Sequence, residues 1–438
     1  MDGAKPMLLL LVQVGVIIAL ARAMGLLFAR MRQPQVIGEM LAGILLGPTL
    51  LGAIATPNPL FPESSIGNLE TLSQFGVVLF LFLVGLEFDP GHIRGRGRAA
   101  AAISFTSVAV PFAMGFGLAY LIKPIFSADQ QENMLPSALF LGAAISVTAF
   151  PVLARILAEQ NLTRTRIGVI TIAAAAFNDV IAWVLLAVVV AMVPTGEGNG
   201  GMSPVARLGL ALLFVGVMVF AVRPLLKRVE AVFDRQGRLS QNLLAGVFLV
   251  VMFAAAATEG IGVHALFGAF IAGTVMPKKS AFVRELTEKL EDFTVIVLLP
   301  LFFAYAGLKT DLRTIFDSGG GLYMGLVIGA ACAGKFLGAA LPAALTGHTV
   351  RESLSIGALM NTRGLMELII LTIGLQLGVI TPQLFGIMVV MALLTTGMTA
   401  PLLALINPRT AADAALAEPV DRREYSVLIP VRCCGRRR

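Results

Sequence analysis

Long apolar runs dominate this chain and constrain its fold more than any other feature. Many of them reach the roughly 18 residues that a membrane-spanning helix needs, and the mean hydropathy of the chain is +0.87. Hydrophobic residues make up 57% of the 438 positions and charged residues only 13%, whereas soluble domains carry about a quarter charged residues. The sequence therefore predicts an all-α polytopic membrane protein.

Charged or Pro/Gly-rich breaks divide the apolar runs into thirteen candidate spans. The spans begin near Met7, Val36, Leu72, Ala99, Pro136, Ile167, Val205, Gln241, Ile261, Phe293, Gly321, Ser353 and Ile380. Most loop Lys and Arg residues follow odd-numbered spans or lie in the C-terminal tail. The positive-inside rule then predicts a multi-pass protein of the cell (inner) membrane, with the N-terminus outside and the C-terminus cytoplasmic. This distribution accounts for the net charge of +7, and no nucleic-acid partner is expected.

Cysteine and histidine are too sparse for a metal centre. The chain has 3 of each, at Cys332, Cys433, Cys434, His92, His264 and His348. Their spacing matches neither a disulfide framework nor a zinc or haem motif. We therefore expect no cofactor and no resident metal.

Two pairs of short segments indicate an internal repeat. Leu41–Leu46 of span two resembles Leu266–Ile271 of span nine, and Gly85–Asp89 of span three resembles Gly307–Asp311 of span ten. The copies are seven spans apart, and because seven is odd they lie upside down relative to each other. Inverted repeats are typical of secondary transporters, whose sites lie at the membrane midplane. The units would be spans two to six and nine to thirteen, with five helices each.

Spans five and twelve are equivalent in this repeat, and both are interrupted near their middles. The polar or helix-breaking residues of the two segments are Ser146, Thr148, Pro151, Asn361, Thr362, Arg363 and Gly364. A proline inside a helix removes a backbone donor and clashes with the preceding turn. Two broken, crossing helices would expose backbone N–H and C=O groups at the bilayer centre, where their partial charges can meet ions.

Asp179 is the most informative single residue because it lies in the middle of span six. A carboxylate at that depth costs about 2.5 kcal/mol or more, so a polar partner is expected, and a mobile cation or proton is the first candidate. A buried, hydrogen-bonded structural aspartate is the alternative. The adjacent Asn178 either supplies a carbonyl oxygen to a cation or points away, since neighbouring residues diverge by about 100° on a helix.

Two further charged groups lie deep in the spans. Lys335 in span eleven has three interpretations: it neutralises the C-terminal ends of half-helices, pairs with Asp179, or releases a proton itself. A structural role and a transport role are both left open. Arg363 and Glu367 are four residues apart and are expected to form a mainly structural pair along one helix face.

These residues resemble the second cation/proton antiporter family, which includes Kef-type potassium/proton antiporters, plant cation/proton exchangers and some bacterial sodium/proton antiporters. The resemblance covers roughly residues 8–406 and is carried by Asn178-Asp179, the segment around Lys335 and the run Asn361–Leu368. It implies elevator-type exchange of K⁺ or Na⁺ for protons by a homodimer in the lipid bilayer. Ion or proton binding would fall to Asp179, Asn178, Thr148 and Ser146, with Lys335 compensating charge or coupling a proton.

The resemblance also implies a domain organisation. Residues 1–406 would form the transmembrane antiporter domain, with a scaffold at about 7–90 and 241–310, a core at about 98–193 and 320–406, and a linker span at about 204–227. Residues 407–438 would form a short cytoplasmic tail. Within it Tyr425–Val431 has the pattern of a lone strand, interpreted as the remnant of a regulatory domain or as part of a disordered tail.

Two other functions compete with antiport. A cation-gated channel or receptor with the same fold would pass ions without needing a proton counter-gradient. An intramembrane aspartyl protease would need two deep aspartates, whereas only Asp179 lies at that depth. We therefore expect a transporter and not an enzyme.

Overall fold

The computed structural model describes residues 6–31, 33–51, 60–87, 98–160, 162, 165–192 and 203–406. Helices make up almost all of these ranges, and no residue within them forms a strand. The tail 407–438, with its predicted strand, lies outside the described residues. The main helices are α1 (Pro6–Arg30), α2 (Gln35–Leu46), α3 (Glu63–Glu87), α4 (Arg98–Leu121), α5a (Met134–Ser146), α5b (Phe150–Glu159), α6 (Arg166–Met192), α7 (Val205–Gln236), α8 (Gln241–Ile261), α9 (Ala265–Val275), α10 (Ala281–Leu308), α11 (Gly320–Leu345), α12a (Val350–Met360), α12b (Leu365–Gln376) and α13 (Pro382–Ile406).

The described helices fit a polytopic membrane protein. Ten of them are long and apolar enough to cross a bilayer, counting α5 as one span, and the bent pair α12a and α12b makes up to eleven. The remaining two, α2 and α9, are apolar but have only 12 and 11 residues. The predicted count of thirteen requires both short helices to cross as well, so it remains a prediction.

Burial places α5 at the centre of the molecule and α1 and α7 at its edge. In the apolar 18-residue stretch of α5, 78% of the residues are buried, against 17% in the corresponding stretches of α1 and α7. A helix that is apolar on every side but little buried faces lipid. The interrupted helix is therefore enclosed by the rest of the bundle, where its free backbone groups must find protein partners.

Two close helix crossings follow the predicted repeat. A Cβ atom added at Gly43 of α2 would lie 2.1 Å from the Phe303 carbonyl oxygen of α10. In the same way, a Cβ atom at Gly273 of α9 would lie 2.1 Å from the Phe82 carbonyl oxygen of α3. Only glycine permits backbones to approach this closely. The repeat relates α2 to α9 and α3 to α10. The crossing of α2 with α10 is therefore equivalent to the crossing of α9 with α3.

Three long helices contain π-helical turns, and the sequence explains each. The turns are Met218–Val222 in α7, Thr294–Leu298 in α10 and Phe336–Ala340 in α11. Each is followed at the second position by a proline, which has no N–H for the helical ladder and shifts its register. In α11 the shifted turn begins directly after Lys335.

The structure contains the break predicted in span five. Helix α5a ends at Ser146, Val147 is extended with φ −65° and ψ 143°, and α5b begins at Phe150. Pro151 is the second residue of α5b, where a missing N–H leaves no helical bond unmade. Proline therefore starts the second half-helix instead of disrupting a continuous one.

The second predicted break lies in α12, and the two breaks touch. Helices α12a and α12b are bent by 45° across Asn361–Gly364. The Ala149 N–H donates a hydrogen bond to the Thr362 carbonyl oxygen across 3.0 Å. A Cβ atom at Gly364 would lie 2.7 Å from the Val152 Cγ2 atom of α5b. The two interruptions thus form one crossing point in the middle of the bundle.

Candidate functional site

The C-terminal end of α5a is capped by the Lys335 ammonium group of α11. Its Nζ donates hydrogen bonds to the Ser146 carbonyl oxygen, to the Ser107 carbonyl oxygen at 3.1 Å and to the Thr148 hydroxyl at 2.7 Å. The side chain is fully buried. A helix C-terminus carries a partial negative charge and unsatisfied carbonyl groups, so a cation there stabilises the break.

The same helix end is also held by the Arg363 guanidinium group from the other break. Its two terminal nitrogens donate to the Ala144 carbonyl oxygen at 3.1 Å and the Ile145 carbonyl oxygen at 2.7 Å. A third bond, of 3.0 Å, reaches the Glu367 carboxylate, and both charged side chains are fully buried. The pair expected from the spacing of four residues is therefore present, and it also caps a helix on another segment.

The opposite side of the break is the N-terminal end of α5b, and Asp179 lies there. Its carboxylate accepts a hydrogen bond from the Phe150 backbone N–H. The Oδ1 atom has no hydrogen-bond partner, although the side chain is only 5% exposed. A helix N-terminus carries a partial positive charge that favours an anion. One carboxylate oxygen is thus fixed, and the other is left for a ligand that the protein does not supply.

The adjacent Asn178 turns away from Asp179 towards α4. One of the two amide orientations gives both the nitrogen and the oxygen of the side chain hydrogen-bond partners. In it the nitrogen donates to the Ser104 and Ala174 carbonyl oxygens, each at 3.1 Å, and the oxygen accepts from the Ser107 hydroxyl at 3.1 Å. Asn178 thus contacts α4, and its role in binding a cation stays a prediction. Its contacts fix the face that α6 presents and hence the direction of Asp179.

The charges are separated along the axis of the broken helix. Lys335 binds the negative end of α5a and Asp179 faces the positive end of α5b. Within the described part of the chain the two side chains form no ion pair with each other. The site therefore places a buried carboxylate with one unpartnered oxygen at the positive end of a half-helix, away from the Lys335 cation.

The remaining predicted site residues serve the breaks. The Ser146 hydroxyl donates to the Ala143 carbonyl oxygen, and the Thr148 hydroxyl donates to the Met360 carbonyl oxygen at 2.9 Å. Thr362 likewise bonds its hydroxyl to the Leu359 carbonyl oxygen. Asn361 is buried, with its amide nitrogen 3.5 Å from the Cys332 sulfur and its Oδ1 atom without a partner. The predicted roles of Ser146 and Thr148 in ion binding stay predictions.

The sequence analysis missed two supporting residues. Ser107 of α4 contacts both Asn178 and, through its carbonyl oxygen, Lys335. Thr396 of α13 accepts from the Arg363 backbone N–H at 2.9 Å and donates to the Arg363 carbonyl oxygen at 2.8 Å. The available signal was weak, because hydroxyl side chains in apolar helices usually bond to their own preceding turn.

The sequence is similar to those of known ion exchangers. The family model described as "Sodium/hydrogen exchanger, transmembrane" matches residues 15–405. The Na(+)/H(+) antiporter NhaS4 of Synechocystis sp. is 41% identical over 407 residues, which are 92% of this chain and 98% of that protein. The K(+)/H(+) antiporter 1 of Saccharomyces cerevisiae is 36% identical over 94% of this chain, which spans only 48% of that protein.

The fold also resembles a solved structure. The sodium proton antiporter MjNhaP1 from Methanocaldococcus jannaschii, determined at pH 8, superposes with a TM-score of 0.68. The superposition covers 94% of this chain and 100% of that chain. At 15% sequence identity the likeness concerns the fold alone.

Proposed function

The chain belongs to the transmembrane sodium/hydrogen exchanger family, and from that premise we propose that it is a secondary active antiporter exchanging a monovalent cation, K⁺ or Na⁺, for protons. The names of the cyanobacterial and yeast relatives support both the cation class and the antiport. They favour antiport over the cation-gated channel or receptor. They also favour a transporter over an enzyme.

One observation carries the proposal: the buried Asp179 carboxylate has an oxygen without a partner at the positive end of a broken helix. An ion-paired structural carboxylate has a cationic side chain as its partner, as Glu367 has Arg363. Among the described residues Asp179 has no such partner, so its unpartnered oxygen is available to a proton or a cation. The Lys335 and Arg363 cations hold the other half-helix, so they leave this oxygen free.

We further propose an elevator-type mechanism in a homodimer. Residues 98–193 and 320–406 would form the moving core, because both breaks and all the contacts of Asp179 described above lie there. Residues 7–90 and 241–310 would form the scaffold, joined to the core by the linker span at 204–227. The surface of α1 is mainly unburied, as expected if a second copy of this chain or lipid packs against the scaffold. Light scattering of the purified protein in detergent measures the oligomeric state, and a monomer mass would contradict the dimer.

The proposed orientation is N-terminus outside and C-terminus cytoplasmic, in the inner membrane. Lys123, after α4, and Arg238, after α7, are both exposed and lie in loops that this topology places on opposite sides. Single cysteines at these positions should react with an impermeant maleimide from opposite sides of intact cells. Labelling of both from the same side would contradict the span assignment.

Proteoliposomes test the proposed exchange. The purified chain is reconstituted with an imposed proton gradient and a pH-sensitive dye, and Li⁺, Na⁺, K⁺ or Rb⁺ is added outside. An antiporter gives cation-dependent dequenching that persists when the membrane potential is clamped. A channel would instead dissipate a potential without a proton counter-gradient. No cation-dependent proton flux with any of the four ions would contradict antiport.

A further inference from the structure

A polar cluster away from Asp179 joins three helices at one end of the bundle. The Tyr305 hydroxyl of α10 donates to the Glu70 Oε1 atom of α3 at 2.5 Å. The Gln376 amide nitrogen, at the end of α12b, donates to the same oxygen at 3.0 Å. The His264 ring, directly before α9, lines the same small cavity as Tyr305 and Gln376.

The cluster crosses the boundary between the two proposed moving parts. Glu70, Tyr305 and His264 all belong to scaffold segments, whereas Gln376 belongs to the core. Since α12b begins at the crossing point and ends at Gln376, these bonds attach one end of the core to the scaffold. Hydrogen bonds to a charged group are stronger than those between neutral groups, so these two bonds can favour one of two conformations.

The inverted repeat contains a related arrangement of charged groups at the opposite membrane face. The alignment that pairs Leu41 with Leu266 also pairs Glu39 of α2 with His264. Glu39 lies in the electrostatic field of Arg155 on α5b, the counterpart of α12b, and forms an ion pair with Arg22 across 3.6 Å. Each repeat thus places a polar residue of its short helix near the second half of a broken helix.

We propose that the hydrogen bonds joining Glu70, Tyr305 and Gln376 form a latch that holds core and scaffold together in this conformation and must open during each transport cycle. In the proposed orientation the latch closes the outer face. The repeat-related pair of Glu39 and Arg155 lies at the inner face. The inference rests on the proposed antiport and adds the residues that define one closed state.

Reversible cross-linking tests the latch. In a background with Cys332, Cys433 and Cys434 replaced by serine, the pair Glu70→Cys and Gln376→Cys is joined by a short bis-thiosulfonate reagent. We expect more than 90% loss of cation-dependent proton flux after cross-linking, by order of magnitude, and recovery on reduction. The matched control is Thr49→Cys with Thr310→Cys, two scaffold positions joined by a 3.1 Å hydrogen bond, whose cross-link should leave exchange unchanged.

Each outcome bears on a different claim. Undiminished exchange with the Glu70 and Gln376 positions fully cross-linked would overturn the latch, and so would failure of this pair to cross-link. Absence of exchange in the cysteine-free parent and in every reduced variant would instead overturn the proposed function.

A second measurement is independent of transport. Hydrogen exchange followed by mass spectrometry reports how often α12b opens, and Glu70→Gln should accelerate exchange in peptides covering Leu365–Gln376. The control Glu288→Gln alters an exposed α10 residue that pairs only loosely with Arg284, at 3.9 Å, and should leave those peptides unchanged. Equal uptake in the wild type and Glu70→Gln would overturn the latch.

Discussion

The Lys335 ammonium group donates a hydrogen bond to the Ser146 backbone carbonyl, and so the deep lysine of α11 completes the broken helix α5. The same nitrogen reaches the Ser107 carbonyl oxygen and the Thr148 hydroxyl. These three acceptors occupy the Lys335 ammonium group. Asp179, at the other half-helix, therefore does not pair directly with Lys335. The residue that stabilises the break is therefore separate from the residue that we propose to bind ions.

Replacing this lysine should affect stability more than transport. Lys335→Gln removes charge-assisted hydrogen bonds worth about 1.5–3 kcal/mol each, so we expect a lower melting temperature in detergent and measurable residual exchange. Fluorescence-detected size exclusion after heating measures the first quantity, and vesicle dequenching measures the second. Complete loss of exchange with unchanged melting would instead assign a proton-carrying role to Lys335.

The buried pair of Arg363 and Glu367 should show strong energetic coupling. Arg363→Gln leaves a buried carboxylate unpaired and should destabilise the protein by about 3–5 kcal/mol. The double variant with Glu367→Gln removes that charge and should recover part of the loss. Recovery should be incomplete, because Arg363 also caps the Ala144 and Ile145 carbonyls. A double variant no more stable than Arg363→Gln would contradict the pairing.

The glycine crossings provide a test of the repeat architecture. A Cβ atom at Gly43 or Gly273 would lie 2.1 Å from a backbone carbonyl oxygen of the facing helix. Overpacking costs about 1–3 kcal/mol, so Gly43→Ala and Gly273→Ala should each lower the melting temperature. Gly15→Ala and Gly67→Ala are the controls, since nothing lies within 4 Å of the added atom. Equal melting of all four variants would contradict the close crossings.

The breaks and Asp179 could be predicted from sequence because their residue types are costly in a membrane. Proline and glycine are unfavourable inside a helix, and a carboxylate in lipid requires a reason. Of the three interpretations of Lys335, the structure contains the contact with the C-terminal end of a half-helix. The sequence could not select it, because the choice depends on which helix end α11 contacts. Ser107 and Thr396 were missed for the same reason, since a hydroxyl in an apolar helix does not indicate its partner.

The number of membrane spans is also not determined by the sequence alone. The short helices α2 and α9 contain 12 and 11 residues, well below the roughly 20 that usually cross a bilayer. Apolar composition alone does not distinguish a short tilted crossing from a buried helix. Their close packing through Gly43 and Gly273 depends on helices far away in the chain.

The stoichiometry follows from a single titrating carboxylate. If proton and cation compete for Asp179, the site is neutral in both loaded states and exchange is one-for-one and electroneutral. Asn178 cannot titrate, and release of a proton by Lys335 would remove one of its three donated hydrogen bonds. The apparent KM for the cation should therefore rise as pH falls. Vesicles whose membrane potential is clamped with valinomycin test the stoichiometry. An exchange rate that changes strongly with the imposed potential would contradict one-for-one exchange.

The exchange activity of Asp179→Asn tests the central claim most directly. The variant keeps the size of the side chain and an oxygen acceptor for the Phe150 N–H, but it can carry neither a negative charge nor a titrating proton. In proteoliposomes containing equal amounts of folded protein, we expect wild-type vesicles to show cation-dependent dequenching and Asp179→Asn vesicles to match protein-free ones. Exchange near the wild-type rate in the Asp179→Asn vesicles would contradict the account.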